Sequence, residues 1–471
     1  MIEYRHCQRS FAEGLIAEEV SDLYEPWMRH VDKILDDDEI LDLAHKELSK
    51  RIGKCKRRGR PSTTVEVALR LLLLKHIRDW SYETLIREVR ANLVYRDFTR
   101  IGGGAVPDDK TMGRIGRQLG PETIKKIHQR IVEIARQNGV VAGKKLRVDT
   151  TVVETNIHYP TDSNLLGDSV RVLTRLMKKA TQIAGEVGTK LRNRSRSLKL
   201  RVVEIARVSR SKSPQSLERM KGMYEKLLEG TVRVVGQAKK FVQEIAGGVK
   251  SSSSIMGQAA LDGIKKELET MLPRVKTVIA QTRARVLDGN TRFEGKIVSI
   301  FEPGTEIIRR GKADKPTEFG KMIKVQEAES QIVVDYEVYK KRPSDSALLV
   351  PSIEVHKDLL ERVPDLVAAD AGFYSAQGEK AAYEQGVKKV SIPNRSTKSA
   401  TRKKLQKTRW FKHGQKWRTG CEGRISVLKR RHGLDRCYYK GDNGMERWVG
   451  LGMISDNLIN IGTFLAEVDT A

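Results

Sequence analysis

A single strand stands far from its possible partners in this sequence. In KKLRVDTTVVETN (144–156), Val148, Thr150 and Val152 alternate with Arg147, Asp149, Thr151 and Val153, and β-branched residues dominate, so the segment reads as a strand. Residues 165–288 then read as helices, broken at Pro214, Gly247-Gly248, Ser251 to Ser254 and Pro273, with no strand signal among them. Strands resume at GKIVSIF (295–301), KMIKVQ (321–326) and QIVVDYEVYK (331–340), expected as consecutive antiparallel strands. A helix (353–363), a short buried strand LVAAD (366–370), the helix GEKAAYEQG, the strand VKKVSIP (387–393) and a long basic helix from Trp410 to His432 follow. Without the helical block the order is three antiparallel strands, then alternating helix and strand. The fold class this predicts is α/β: a mixed sheet with helices on both faces and a large all-helical insertion after the first strand. The sheet must close around that insertion.

Ahead of the first strand the pattern is helical. Residues 11–50 read as one or two helices, with Asp36, Asp37 and Asp38 placed for a first helical turn. KCKRRGRPSTT is a basic linker, after which Val65, Leu69, Leu72 and Leu73 form a helical stripe. Ser81 and Asp108 or Asp109 can cap further helices, Gly102 to Gly104 break the chain, and Pro121 opens a helix that ends at Gly139. Several short helices, one carrying Lys110, Arg114 and Arg117, resemble a helix-turn-helix region. The expected division is therefore an N-terminal helical segment and linker (1–60), a helical, helix-turn-helix-like region (61–143), the first part of the sheet domain (144–164), the helical insertion (165–288), and the rest of the sheet domain with C-terminal helices (289–471).

Charge indicates the partner. The 471 residues hold 88 Lys and Arg against 60 Asp and Glu, a formal charge of +28. With 39% apolar residues the chain is neither wholly disordered nor a small disulfide-held protein. Residues 1–50 are acidic, six Lys and Arg against thirteen Asp and Glu, so the basic surplus lies beyond them. Residues 388–440 carry eighteen Lys and Arg against Glu422 and Asp435, and 190–212 is a second basic run. Two dense cationic runs are the footprint of a polyanion, because Lys and Arg displace counterions condensed on phosphates. The longest unbroken apolar stretches, such as Leu71 to Leu74, fall far short of the ~20 residues of a spanning helix, so no membrane segment is expected. The first twenty residues lack the apolar core of a signal peptide. Cys7, Cys55, Cys421 and Cys437 are far apart and suit reduced thiols in a cytoplasm rather than a disulfide or zinc framework.

Three acids stand out. Asp149 lies in mid-strand, where carboxylates are depleted. Asp370 ends a nearly continuous apolar strand, the position at which open α/β sheets place their sites. Glu422 is the only acid between Lys388 and Leu434. At about 100° per residue, Arg418 and Lys429 fall within about 40° of Glu422, while Cys421, Ile425 and Leu428 form an apolar stripe that can seat the helix on a sheet. Ordinary helix salt bridges would account for that face alone. Clustered carboxylates without His or Cys suit a hard cation, and two such ions about 3.5–4 Å apart can serve both oxygens of a phosphodiester displacement.

At these residues the sequence resembles a bacterial insertion-sequence DDE transposase. VDTTVVETNIHYPTDSNLL (148–166) resembles the block of the family's first Asp, here Asp149; DLVAADAGFYS (365–375) resembles the Asp-x-Gly-Phe/Tyr block, giving Asp370; and RTGCEGRISVLK (418–429) fits Arg-(3)-Glu-(6)-Lys, giving Arg418, Glu422 and Lys429. The front segment from GRPSTTVEV through PDDKTMGRI resembles the family's DNA-binding region, so the likeness runs over roughly 60–460. The signature's Tyr, three residues before the Arg, is replaced by Gln415. The resemblance implies an RNase H-like fold. It implies Asp149, Asp370 and Glu422 as catalytic ligands of two Mg²⁺ or Mn²⁺ ions, with Arg418, Lys429, Arg424, Arg430, Lys110 and Arg114 as candidate DNA contacts. It further implies double-stranded DNA substrates (transposon ends and target), cleavage that frees a 3′-hydroxyl, strand transfer, and a homodimer or higher assembly on DNA in a bacterial cytoplasm, at the nucleoid. The helical block with its 190–212 run is a candidate bridge to DNA or to a second subunit. An RNase H-like nuclease or resolvase, and a DNA-binding regulator with structural acids, are the rival readings.

Overall fold

The computed structural model describes residues 5, 14, 17–20, 22–50, 63–211, 213–309 and 316–470, so Cys7, Cys55 and most of the basic linker lie outside the described residues. The chain forms two compact units, residues 1–156 with 320–471, and residues 157–319.

The first unit opens with helices α1 (Pro26–Ile34), α2 (Asp38–Ser49), α3 (Val65–Ile77), α4 (Tyr82–Ala91), α5 (Leu93–Phe98), α6 (Asp109–Gln118) and α7 (Pro121–Gln137). Their starts are chemically marked. Asp37, Thr64, Ser81 and Asp108 each accept a backbone N–H of the following first turn, and Pro121 occupies the first turn of α7. Every residue of α3 is buried, including Arg70, whose guanidinium meets Asp32 at 2.7 Å, Asp36 at 2.8 Å and the Phe98 carbonyl at 3.0 Å. Part of the acidic N-terminal surplus is thus matched internally. Met28, Leu41, Leu72, Phe98 and Ile127 share one hydrophobic core with Ala328, Val334, Leu360, Leu451 and Leu458. Residues 63–143 therefore do not close a core of their own.

Strand β1 (Lys145–Thr155) leads into the second unit, built from α8 (Asp162–Ala184), α9 (Ser195–Val208), α10 (Pro214–Ala246), α11 (Ile255–Val286) and the short strand β2 (Glu306–Arg309). It has a separate core, with Leu173, Leu198, Leu227, Phe241, Leu268 and Val278 among its buried members. GKIVSIF (295–301), expected as a strand, is irregular. Val298 and Ile300 are buried there, but the Ile297 N–H and carbonyl bond the Gln281 side-chain amide and the Ile300 carbonyl accepts from Arg274. Side chains of α11 satisfy the backbone that a neighbouring strand would otherwise have to satisfy.

The chain returns as β3 (Thr317–Glu327), β4 (Val333–Val338), α12 (Leu349–Leu360), β5 (Leu366–Ala369), α13 (Ala376–Glu384), β6 (Lys389–Ser391), α14 (Ala400–Lys407), α15 (Arg409–Arg431), β7 (Arg436–Cys437) and α16 (Asp442–Asp469). β3 runs antiparallel to both β1 and β4, whereas β5 is parallel to β1 and β6 to β5. Five strands of the seven-stranded sheet run in the order β4-β3-β1-β5-β6, the mixed arrangement that the strand pattern called for, and β7 is parallel to the end of β1. Glu154 pairs with Gly320, so β1 and β3 form a two-stranded hairpin whose connection is the entire second unit.

Helix α15 packs across β5, β1 and β6, seated by buried Cys421 and Leu428. Two of its glycines make the close approach possible. A Cβ on Gly414 would lie 2.6 Å from the Ser391 Cβ, and one on Gly420 would lie 2.1 Å from Arg147 Nη1. Helix α16 is the described helix long and apolar enough by length and composition to cross a membrane, but 67% of its apolar window is buried within the protein. Its Asn457 bonds both the N–H and the carbonyl of Val333 on β4, each at 2.8 Å, as a core helix of the sheet would.

Candidate active site

The parallel register of β1 and β5 sets the two aspartates. Val148 pairs with Ala369, so Asp149 and Asp370 come next, level on neighbouring strands that run ~4.8 Å apart. Asp149 is largely covered, its side chain 16% exposed, and its Oδ1 accepts the Thr150 N–H at 2.7 Å. Asp370 ends β5, where its Oδ1 accepts the Gly372 N–H at 2.9 Å and caps the 3-10 turn Ala371–Phe373. The turn draws the chain away from the sheet and leaves the carboxylate at the strand's end.

Helix α15 brings in the third acid. Arg418 Nη1 lies 3.9 Å from Asp149 Oδ2 and 2.9 Å from Glu422 Oε1, so one guanidinium stands between the two carboxylates. Glu422 is 57% exposed. Gln415, at the position of the signature Tyr, points into the sheet: its amide donates to the Ser391 carbonyl at 2.5 Å and to the Ala369 carbonyl at 3.3 Å. It therefore holds the C-terminal ends of β5 and β6 directly beside Asp370, a backbone-anchoring contact available to an amide.

A fourth carboxylate was not foreseen. Asp345 accepts from Thr150 Oγ1 at 3.3 Å, and a Cβ on Gly372 would sit 3.2 Å from Asp370 Oδ1 and 3.3 Å from Asp345 Oδ2. The Asp345 and Asp370 oxygens are thus no more than about 6.5 Å apart, the sum of those two distances. In sequence Asp345 reads as an ordinary acid beginning a short turn (Asp345–Leu348), and only the fold carries it to the end of β5.

Beneath these acids is a buried ionic chain. Arg147 grips Glu327 with Nε at 2.8 Å and with Nη2, and its Nη1 donates to the Trp417 carbonyl at 2.5 Å, fastening α15 to β1 and β3. Burial pushes the Glu327 carboxyl up, against the opposing pull of Arg147 and Arg424. Arg424 was expected at DNA. It is instead buried, donating to Asp456 at 2.7 Å and to Gln331. The helix period explains the correction: Arg424 falls about 160° round from Glu422 and only about 40° from Leu428, so it borders the seated stripe. Burial also raises the Cys421 thiol well above its ordinary range, which leaves it protonated and inert. The other proposed cations have surface positions: Arg430, Lys110 and Arg114 are exposed and Lys429 is half-buried.

The oxygen-only donors around Asp149 and Asp370 suit Mg²⁺ or Mn²⁺, and Mg²⁺ is commonly held by one or two carboxylates plus substrate phosphates. Among the described residues no three His, Cys, Asp or Glu converge tightly enough to hold a metal by themselves. Glu422 is turned to Arg418, so the aspartates fit such an ion and the glutamate does not in this arrangement.

Residues 20–118 match the family model of a transposase domain (DUF772), and residues 377–461 match that of a transposase DDE domain. Both matched models are of transposase domains, which indicates an insertion-sequence DDE transposase. The second match covers Gln415, Arg418, Glu422 and Lys429 but begins after Asp370, and neither reaches Asp149. The chain is also similar to the uncharacterized protein ORF8 in the nfe locus of Rhizobium meliloti, 31% identical over 127 residues, which is 26% of this chain and 61% of that protein. The chain thus spans about three-fifths of the length of this curated relative. No solved structure matches significantly.

Proposed function

We propose that this chain binds the terminal inverted repeats of an insertion sequence, cuts phosphodiester bonds at its ends and joins the freed 3′-hydroxyls to target DNA, acting in the cytoplasm as at least a dimer on DNA. The observation that carries the reading is the level placement of Asp149 and Asp370 on adjacent parallel strands, with Arg418 and Glu422 of α15 beside them. The antiparallel-then-parallel sheet supports an RNase H-like domain.

Asp149 and Asp370 would hold divalent cations, which when bound activate the attacking oxygen and stabilise the leaving one. Asp345 adds negative charge beside Asp370 and keeps the pocket selective for a cation. Arg418 offsets charge developing on the phosphate, held in place by Glu422, and Lys429 and Arg430 continue that cationic face along α15. Lys110 and Arg114 on α6 supply phosphate contacts that position the end.

The test is a supercoiled plasmid carrying the element's ends, incubated with purified protein and Mg²⁺. Wild type is expected to give free 3′-hydroxyl ends and joined products. Asp149→Ala and Asp370→Ala should abolish both while binding the ends, and Asp345→Ala should slow cutting at least tenfold. Cutting without joining would reduce the protein to a nuclease. Binding with no cutting by wild type would make it a regulator.

A further inference from the structure

A second cationic feature lies on the other flank of α15. A cleft of about 1180 Å³ opens between the first two turns of that helix and the N-terminal ends of β1, β5 and β6. Lys144, Lys145, Lys388, Lys389, Arg409 and Lys416 line it, with Trp410, Trp417 and His413 between them. The lining carboxylate, Asp365, is engaged by Lys388 at 2.8 Å and by Arg362 at 3.0 Å, which holds it below the usual carboxylate range and leaves the other cations uncompensated by it. The four lysines at the strand ends are exposed, and both tryptophans are half-buried. Trp417 is braced from behind by the Arg147 guanidinium, 4.8 Å from its ring centre.

This cleft is separate from the carboxylates. Trp410, His413 and Trp417 fall about 120–180° round the helix from Glu422, and the Leu366 end of β5 lies ~13 Å from Asp370. Cations spaced along an open cleft call for a phosphate backbone. Half-buried indoles among them suit bases free to stack, which a duplex hides inside its helix.

We propose that this cleft binds single-stranded nucleic acid, with the lysines tracking the backbone and Trp410 and Trp417 as stacking platforms. The proposal is independent of the cutting activity and stands or falls without it. The test is fluorescence anisotropy of a labelled 12-nucleotide oligo-dT with the full chain, titrated over a range of salt. Trp410→Ala should weaken binding on the order of tenfold. The combined Lys144→Ala, Lys389→Ala, Lys416→Ala variant, all at exposed positions, should flatten the slope of log K against log salt by about two, since each single-strand phosphate contact contributes roughly 0.7. Asp149→Ala and Asp370→Ala should bind oligo-dT as wild type does. Unchanged affinity and slope in both cleft variants would overturn the proposal. So would loss of oligo-dT binding in the aspartate variants, equal weakening of a 12-base-pair duplex by Trp410→Ala, or competition by polyglutamate as effective as that by oligo-dT.

Discussion

Lys75 shows how a single residue can carry a measurable property of the fold. It is buried on α3 with its ammonium 4.7 Å from the Trp448 ring centre, 5.2 Å from Tyr82 and 5.6 Å from Tyr439. Aromatic faces replace water around the charge. Burial nevertheless dominates and brings its pKa down to about 8, with Asp79 pulling the other way. The unfolded chain holds that proton up to about pH 10.4, so between the two values it binds more protons than the folded chain. Stability from this group therefore rises with pH across that window, by up to ~3 kcal/mol if nothing else titrates. Cys421, its thiol raised by burial, opposes it from about pH 8.5, and Tyr82 and Tyr439, both raised by burial, add to that once pH passes about 10. Urea midpoints between pH 7.5 and 8.5 are expected to climb for wild type, and the climb should vanish in Lys75→Met. A parallel climb in both proteins would remove Lys75 as its source.

Among elements, α15 is the one on which the site depends. Its seat uses Gly414 against Ser391 and Gly420 against Arg147, both closer than a Cβ allows. Gly414→Leu should lift the helix from β6, cost about 1–3 kcal/mol in urea denaturation and stop cutting through displacement of Arg418, although no acid is touched. A variant with full activity and stability would show that the seat is slack. Much of this arrangement could be read beforehand. The β-branched alternation of β1, the apolar run of β5 and the Cys421–Ile425–Leu428 stripe each state a buried face in local terms, and Asp149, Asp370 and Glu422 stood out against them. Asp345 did not, because an acid at the start of a turn is common and its meaning comes from a contact with Thr150, 195 positions away. GKIVSIF misled because β-branched residues report a buried extended segment and not its partner, here the Gln281 and Arg274 side chains. The spread of one core from Met28 to Leu458 was equally hidden, since an apolar stripe does not name the surface it covers.

At the scale of the whole molecule, the decisive relation is between Glu154 and Gly320. These residues pair directly across β1 and β3, so residues 157–319 leave and re-enter the first unit at opposed positions of one hairpin. Opposed residues of an antiparallel pair are ~5 Å apart, the separation that two turn residues ordinarily bridge. Closing a longer connection costs only about 0.6 kcal/mol more for each doubling of its length if the connection is flexible, and an insert with its own core spends none of the first unit's burial on staying folded. That core, from Leu165 through Val278, is drawn from α8 to α11 together with Ile300. Two chains should therefore fold where one does now. Residues 157–319 expressed alone should give a strongly helical circular-dichroism spectrum and one cooperative thermal transition. The complementary chain, with 157–319 replaced by an Asn-Gly turn, should keep the β1–β3 register and unfold with a smaller dependence on urea than the full chain, in proportion to the surface removed. If the helical piece melts without cooperativity while the turn-joined chain remains soluble, the insert borrows its stability from the sheet. If both pieces fail, the two cores are not separable and the hairpin is closed by the insert rather than around it.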